Sequence, residues 1–123
     1  MKKILFTLVA ILATTFAFAN VQDGQPAENA ARQFAFYIGH NDAMKAELMV
    51  NNPELLPAYM TTVRGEINAH GGFKTVKVLS STNENSTSAT VTVAFVCKEG
   101  EYEVEQTFTL SLNEAQQWQV TLK

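Results

Sequence analysis

The chain predicts an α+β fold, with N-terminal helices packed in a cone formed by a curved four-stranded antiparallel sheet. Three observations lead there. Apolar residues recur at a 3.6-residue period in the first half, between Ala27 and Ile67. After Gly71-Gly72 the period changes to two. Polar breaks at Asn83–Ser86, Lys98–Gly100 and Asn113–Gln116 then divide the second half into four short runs, the pattern of a meander.

Residues 1–19 read as a signal peptide rather than as part of the fold. Lys2 and Lys3 precede an apolar run from Ile4 to Phe18, which ends in Ala17-Phe18-Ala19. A short basic start, an apolar core and a small-x-small exit form a secretory pattern, with cleavage expected after Ala19. A spanning helix needs roughly 20 apolar residues, and this run is shorter and interrupted by Thr7, Thr14 and Thr15. Lipid attachment would require a cysteine just past the run, and the chain's one cysteine is Cys97. The expectation is a periplasmic or secreted protein of bacterial type, with no membrane anchor after cleavage.

Residues 20–25 are polar and read as a flexible lead-in. Pro26 suits a first helical turn, where its missing N–H is no loss. Ala27, Ala30, Ala31, Phe34, Tyr37 and Ile38 then form one apolar stripe, and Gly39 ends it. Asn41 or Asp42 caps a second helix through Ala43–Val50, with Met44, Leu48 and Met49 inward. Asn52-Pro53 marks a stop and restart, and Pro57 fits another first turn. Leu56, Met60, Val63 and Ile67 make the third stripe, terminated at Gly71.

The first strand begins with Phe73, Val76 and Val78. In the second, Val91, Val93, Phe95 and Cys97 alternate with Thr90, Thr92, Ala94 and Val96. The third places Tyr102, Val104, Phe108, Leu110 and Leu112 on one face, with Glu101, Glu103, Glu105, Thr107, Thr109 and Ser111 on the other. The last strand turns Trp118, Val120 and Leu122 inward. Residues 26–123 therefore form a single domain.

Removing nineteen of the 123 residues leaves 104, enough for one core. Both signal lysines go with them, so seven bases face twelve acids and the mature charge is −5. With no basic stripe, nucleic acid and anionic membranes are not expected partners. A single cysteine forms no internal disulfide, so stability must come from packing.

This order of elements resembles the nuclear-transport-factor-2-like (cystatin-like) superfamily, and within it the bacterial secreted proteins and lipoproteins of unknown function. The residues behind the resemblance are Pro26, Ala30, Phe34, Tyr37-Ile38 and Asn41-Asp42 in the first helix, the Gly71-Gly72-Phe73 entry to the sheet, the Gly100 hairpin and the closing Trp118-x-Val120. It covers residues 26–123 and implies the cone fold. It does not imply one activity, since the superfamily holds isomerases, dehydratases, binding subunits and scaffolds.

His40 and His70 are the only histidines, both at helix ends. His40 beside Asp42 is the weak candidate for a general base at the mouth of the cone. A histidine at a helix C-terminus is also explained by the dipole there, and Asp42 by capping. Glu101, Glu103 and Glu105 share a strand face, but at roughly 7 Å spacing they make a solvated face rather than a compact ion shell. No set of ligands has zinc spacing, and no metal or cofactor is expected. Cys97 falls on the core side of its strand.

Aromatic residues are the remaining lead. Phe34, Tyr37, Tyr59 and Trp118 are the candidate ligand-binding residues, with the two tyrosine hydroxyls offered to a ligand. Because no acid, base and electrophile converge, the reading is a small exported binding or interaction domain without catalysis. Its partner is an unidentified small molecule or protein. A homodimer through the Thr90, Thr92, Thr107 and Thr109 sheet face belongs to the same reading. The alternatives are an isomerase- or dehydratase-like enzyme using Tyr37, His40, Asp42 and Tyr59 in the cone, and a cystatin-like protease inhibitor. Against the last stands the hairpin Val96-Cys97-Lys98-Glu99-Gly100, which lacks the inhibitor's Gln-x-Val-x-Gly pattern.

Overall fold

The computed structural model describes residues 26–123, so the expected signal peptide and lead-in lie outside the described residues. Helix α1 (Pro26–Gly39) is followed by the short α2 (Ala43–Glu47), a 3₁₀ turn (Pro53–Leu55) and α3 (Leu56–Ala69). Strands β1 (Phe73–Asn85), β2 (Ser88–Cys97), β3 (Glu103–Leu112) and β4 (Trp118–Thr121) complete the chain. They pair antiparallel in the order β1-β2-β3-β4, as the meander pattern predicts. Register shifts between Phe73 and Thr75, Val78 and Ser80, and Asn83 and Asn85 bend β1 around the helices.

Helix α1 fills the hollow of the sheet because its stripe is both apolar and small. Ala27, Ala31 and Ala35 let the backbone approach, and Phe34 and Ile38 fill the space between. Phe34 meets Phe108 edge-to-face at 5.2 Å, so the first helix and third strand share one aromatic contact at the centre. From α3, Leu56, Met60, Val63 and Ile67 close the other side, as the sequence stripe requires. Arg64 of α3 donates to Gly39 O at 2.6 Å, putting a cation on the C-terminal carbonyls of α1.

Gly39 does more than end α1. A Cβ there would lie 2.5 Å from Phe73 Cε1, so the glycine admits the ring at the entry to the sheet. The left-handed turn after the helix falls to Asn41, with φ 60°. Hairpin β1–β2 also turns later than the sequence suggests. Asn83 pairs with Ala89 inside the ladder, and Asn85 Oδ1 tightens the turn by accepting from Thr87 N–H at 2.8 Å.

β2 is buried on both faces. Val91, Val93, Phe95 and Cys97 face the helices, while Ala94 and Val96 are buried on the outside. The cover there comes from charged arms. Lys77, beside Ala94, reaches Glu103, beside Val96, at 2.6 Å across the middle strand.

The second helix departs from its expected form. It stops at Glu47 rather than Val50, and Met44 and Leu48 point to solvent, 81% and 77% exposed; Ala46 is its buried residue. The cause lies at the other end of the chain. Val120 N–H donates to Met49 O at 2.7 Å and Asn51 N–H donates to Val120 O at 2.8 Å. These bonds draw Met49–Asn51 into a parallel bridge along β4 and end the helix. Asn52 extends the clasp with its side chain, accepting from Leu122 N–H at 2.9 Å and donating to Leu122 O at 2.6 Å.

Asn52→Ala leaves both Leu122 groups without their partner in a half-buried setting, so it should destabilise the fold by about 1–3 kcal/mol. Asn52→Asp keeps the acceptor for Leu122 N–H but sets a carboxylate oxygen against Leu122 O, so it should destabilise the fold as well. Urea denaturation monitored by circular dichroism measures both variants. A loss below about 0.5 kcal/mol for Asn52→Ala would mean the clasp is not needed.

Candidate functional site

The clasp creates a cleft where β4 meets the first two helices. Tyr37 enters from the last turns of α1, Lys45 from α2, Leu48 and Met49 from the segment leading to the bridge, and Gln117–Gln119 from the start of β4. With Gln33 they enclose about 730 Å³. Tyr37 and Trp118 are both half-buried, packed against the margin of the core and lining the cleft. Lys45 Nζ lies 5.9 Å from the centre of the Tyr37 ring, within cation–π range. Its ion pair with Asp42 spans 4.0 Å between exposed side chains, which is worth little. Gln119 Nε2 donates to Leu48 O at 3.4 Å across the floor.

Tyr59 and Phe34 lie elsewhere. Phe34 is fully buried, with its ring 6.4 Å from that of Tyr59, so it supports the core wall rather than the cleft. Tyr59 borders a second, smaller recess of about 200 Å³ with Gln106, Thr107, Phe108, Thr121, Leu122 and Lys123. Its hydroxyl is buried and has no hydrogen-bond partner among the described residues. Burial pushes its ionisation far above the usual tyrosine range, so it stays a neutral phenol and does not serve as a base near neutrality. Gln106 is the residue that sequence reasoning missed here. It lies on the inward register of β3 between Val104 and Phe108. The signal was present, since a glutamine interrupts an otherwise apolar alternation.

The histidine candidates do not form an acid–base pair. His40 is exposed and stacks on Phe36 at 5.8 Å, while Phe73 meets it edge-on at 5.1 Å. Asp42 Oδ1 accepts from Lys45 N–H at 3.3 Å as the cap of α2. His70 lies flat on Tyr102, with ring centres 3.6 Å apart. The Tyr102 hydroxyl donates to Glu66 at 3.2 Å, which raises its ionisation further. Tyr102 is 41% exposed rather than inward, because this stack holds it against the end of α3.

The strand carboxylates are engaged by lysines. Glu101 accepts from Lys74 at 2.7 Å, which lowers its protonation range, and Glu103 pairs with Lys77. No group of three His, Cys, Asp or Glu side chains capable of holding a metal ion occurs among the described residues. The Cys97 thiol is buried and pushed up, chiefly by desolvation and then by Glu66. That is the opposite of activation.

The chain matches no protein-family profile and no curated protein sequence. It is similar in structure to a Campylobacter jejuni protein provisionally named an NTF2-like transpeptidase. That similarity has a TM-score of 0.65 at 18% identity, covering 80% of this chain and 100% of the other. The fold is therefore NTF2-like, the cone that the order of elements implies.

Tyr59→Phe removes a buried hydroxyl that has no partner, so it should leave stability unchanged or raise it by up to about 1 kcal/mol. The tyrosine's raised folded-state ionisation adds a pH signature. Its contribution is complete below the ordinary tyrosine range and is lost as the folded phenol ionises. The variant should therefore resist alkaline unfolding better than the parent, above about pH 10. A clear loss of stability in Tyr59→Phe would instead show that the hydroxyl is satisfied.

Proposed function

We propose that the chain is an exported domain that binds its ligand in the Tyr37–Trp118 cleft and does not transform it. The observation that carries this reading is the composition of the lining. Two aromatic rings, two apolar side chains and three glutamine amides surround one charged group, Lys45, with no carboxylate or histidine among them. Apolar walls with a few placed polar groups suit recognition. General acid–base work needs a proton donor and acceptor facing each other. Export rests on Lys2-Lys3 and the apolar run to Ala19, and release from the membrane on the absence of a cysteine beside it.

The Campylobacter protein's name favours a transpeptidase as the second reading. That reaction needs an activated nucleophile beside a base. Cys97 is buried with a raised pKa, and among the described residues the cleft lining holds no serine, threonine, histidine or carboxylate. Binding remains the better-supported function.

Native mass spectrometry of the protein purified from its host's periplasmic fraction tests the proposal. The expected species starts at Asn20 and carries a discrete additional mass, as monomer or as a dimer through the outer sheet face. Trp118→Ala, at the cleft's larger ring, should weaken retention of that mass roughly tenfold or more. Retention unchanged in Trp118→Ala would contradict the cleft as the site. An intact Met1 in the periplasmic protein would contradict cleavage.

A further inference from the structure

We propose that the cleft receives an extended acidic peptide, which adds to the open edge of β4 at Trp118. The proposal rests on the cleft being the ligand site, and it names the ligand's chemical class. Its basis is the direction of the backbone groups along β4. In an antiparallel ladder, alternate pairs exchange both hydrogen bonds, and the pairs between them turn their N–H and C=O groups outward. Asn113 N–H donates to Gln117 O at 2.9 Å, closing the hairpin one position before the Leu112–Trp118 pair. Leu112 N–H is given to Thr87 O on the far side of β3, at 2.9 Å. Leu112–Trp118 is thus a pair that exchanges no bonds, and the backbone groups of Trp118 face the open edge. Val120 and Leu122, two and four residues on, face the same way.

The protein covers two of these three positions itself. Asn52 satisfies Leu122 with its carboxamide, at 2.9 and 2.6 Å. Met49 and Asn51 satisfy Val120 with their backbones, at 2.7 and 2.8 Å. A continued parallel strand would bring Leu48 alongside Trp118. Leu48 has instead turned into the helical region, with φ −69° and ψ −14° at the end of α2. Trp118 is left with no backbone partner among the described residues, where the cleft opens.

An extended peptide matches what is offered. Its backbone supplies an acceptor and a donor at strand spacing, and its alternate side chains point to the two faces of the added strand. Sugars and acyl chains have no such ladder to give. On one face the walls are the Tyr37 ring and Met49, suited to an apolar residue. Lys45 supplies the charge preference. Its ammonium is the only charge on the lining, and its bond to Asp42 is long and exposed, so an incoming carboxylate can take it over. Leu48 beside it is 77% exposed and would be covered by the peptide.

The test uses the mature protein, labelled with ¹⁵N, and capped pentapeptide pools of β-branched and apolar residues with glutamate at the centre. Two comparison pools carry lysine at the centre, or N-methyl groups on alternate backbone amides. The glutamate pool should shift the backbone amide of Trp118. Its best member should lose about tenfold in affinity on N-methylation of the edge-facing amide, and at least about fivefold against Lys45→Gln. Failure of every pool to move that amide would overturn the proposal. So would affinities unchanged within twofold by N-methylation and by Lys45→Gln. If the peptide pools fail in this way while the co-purified mass is lost in Trp118→Ala, the peptide inference alone fails and the cleft remains the binding site. If that mass is also indifferent to Trp118, both readings fail together.

Discussion

The hydrogen bonds that Val120 exchanges with Met49 and Asn51 join the two halves of this chain at its last strand. Without them the sheet would end in an uncovered edge, which invites pairing with other chains. Their reach extends in both directions. Toward the N-terminus they stop α2 after five residues and leave Met44 and Leu48 outside. Toward the C-terminus, together with Asn52, they hold β4 and Leu122 against the core. The cleft is a by-product of the same clasp. Its floor is where the covering segment leaves the sheet and its walls are the rings of Tyr37 and Trp118.

The cross-strand ion pairs sit away from this region. No charged or polar residue is buried among those described, so the interior is held by packing around Phe34, Phe95, Ile38 and Ile67. Lysines on β1 meet glutamates at and after the β2–β3 turn, and those arms shield the outer side of β2. This accounts for the acidic run of Glu101, Glu103 and Glu105 without an ion: two of the three carboxylates are neutralised by lysines. The two histidines are spent on aromatic contacts at the ends of α1 and α3. What remains without an internal role is the cleft with its single ammonium and the recess beneath Tyr59.

Periodicity disclosed the parts of the fold that depend on neighbours in sequence. The α1 and α3 stripes, the alternation of β2 and the inward placement of Val120 and Leu122 follow from spacing alone, because one face of each element is dry. The structure departs from periodicity where a distant partner overrides the local signal. Met44 and Leu48 have the spacing of a buried pair, but the length of α2 is set by Val120, seventy residues later. Gly39 looks like a stop signal and is also a seat for the Phe73 ring. The candidate site was half legible. Tyr37 and Trp118 have the chemistry of a ligand wall and converge on the cleft, whereas Tyr59 and Phe34 belong to a separate part of the core. Lys45 carried no motif, and its importance comes from position alone, whereas Gln106 is marked in sequence as the polar break in the β3 alternation.

The edge strand is covered at Val120 and open at Trp118, and native-state amide hydrogen exchange reads this directly. Covered amides exchange through large-scale opening, and open ones through local fluctuation. The Val120 and Asn51 amides should be protected nearly as strongly as the centre of β2, with Trp118 exchanging faster by a factor on the order of a hundred or more. Equal protection of Trp118 and Val120 in the ligand-free protein would contradict it, because the edge would then already be closed.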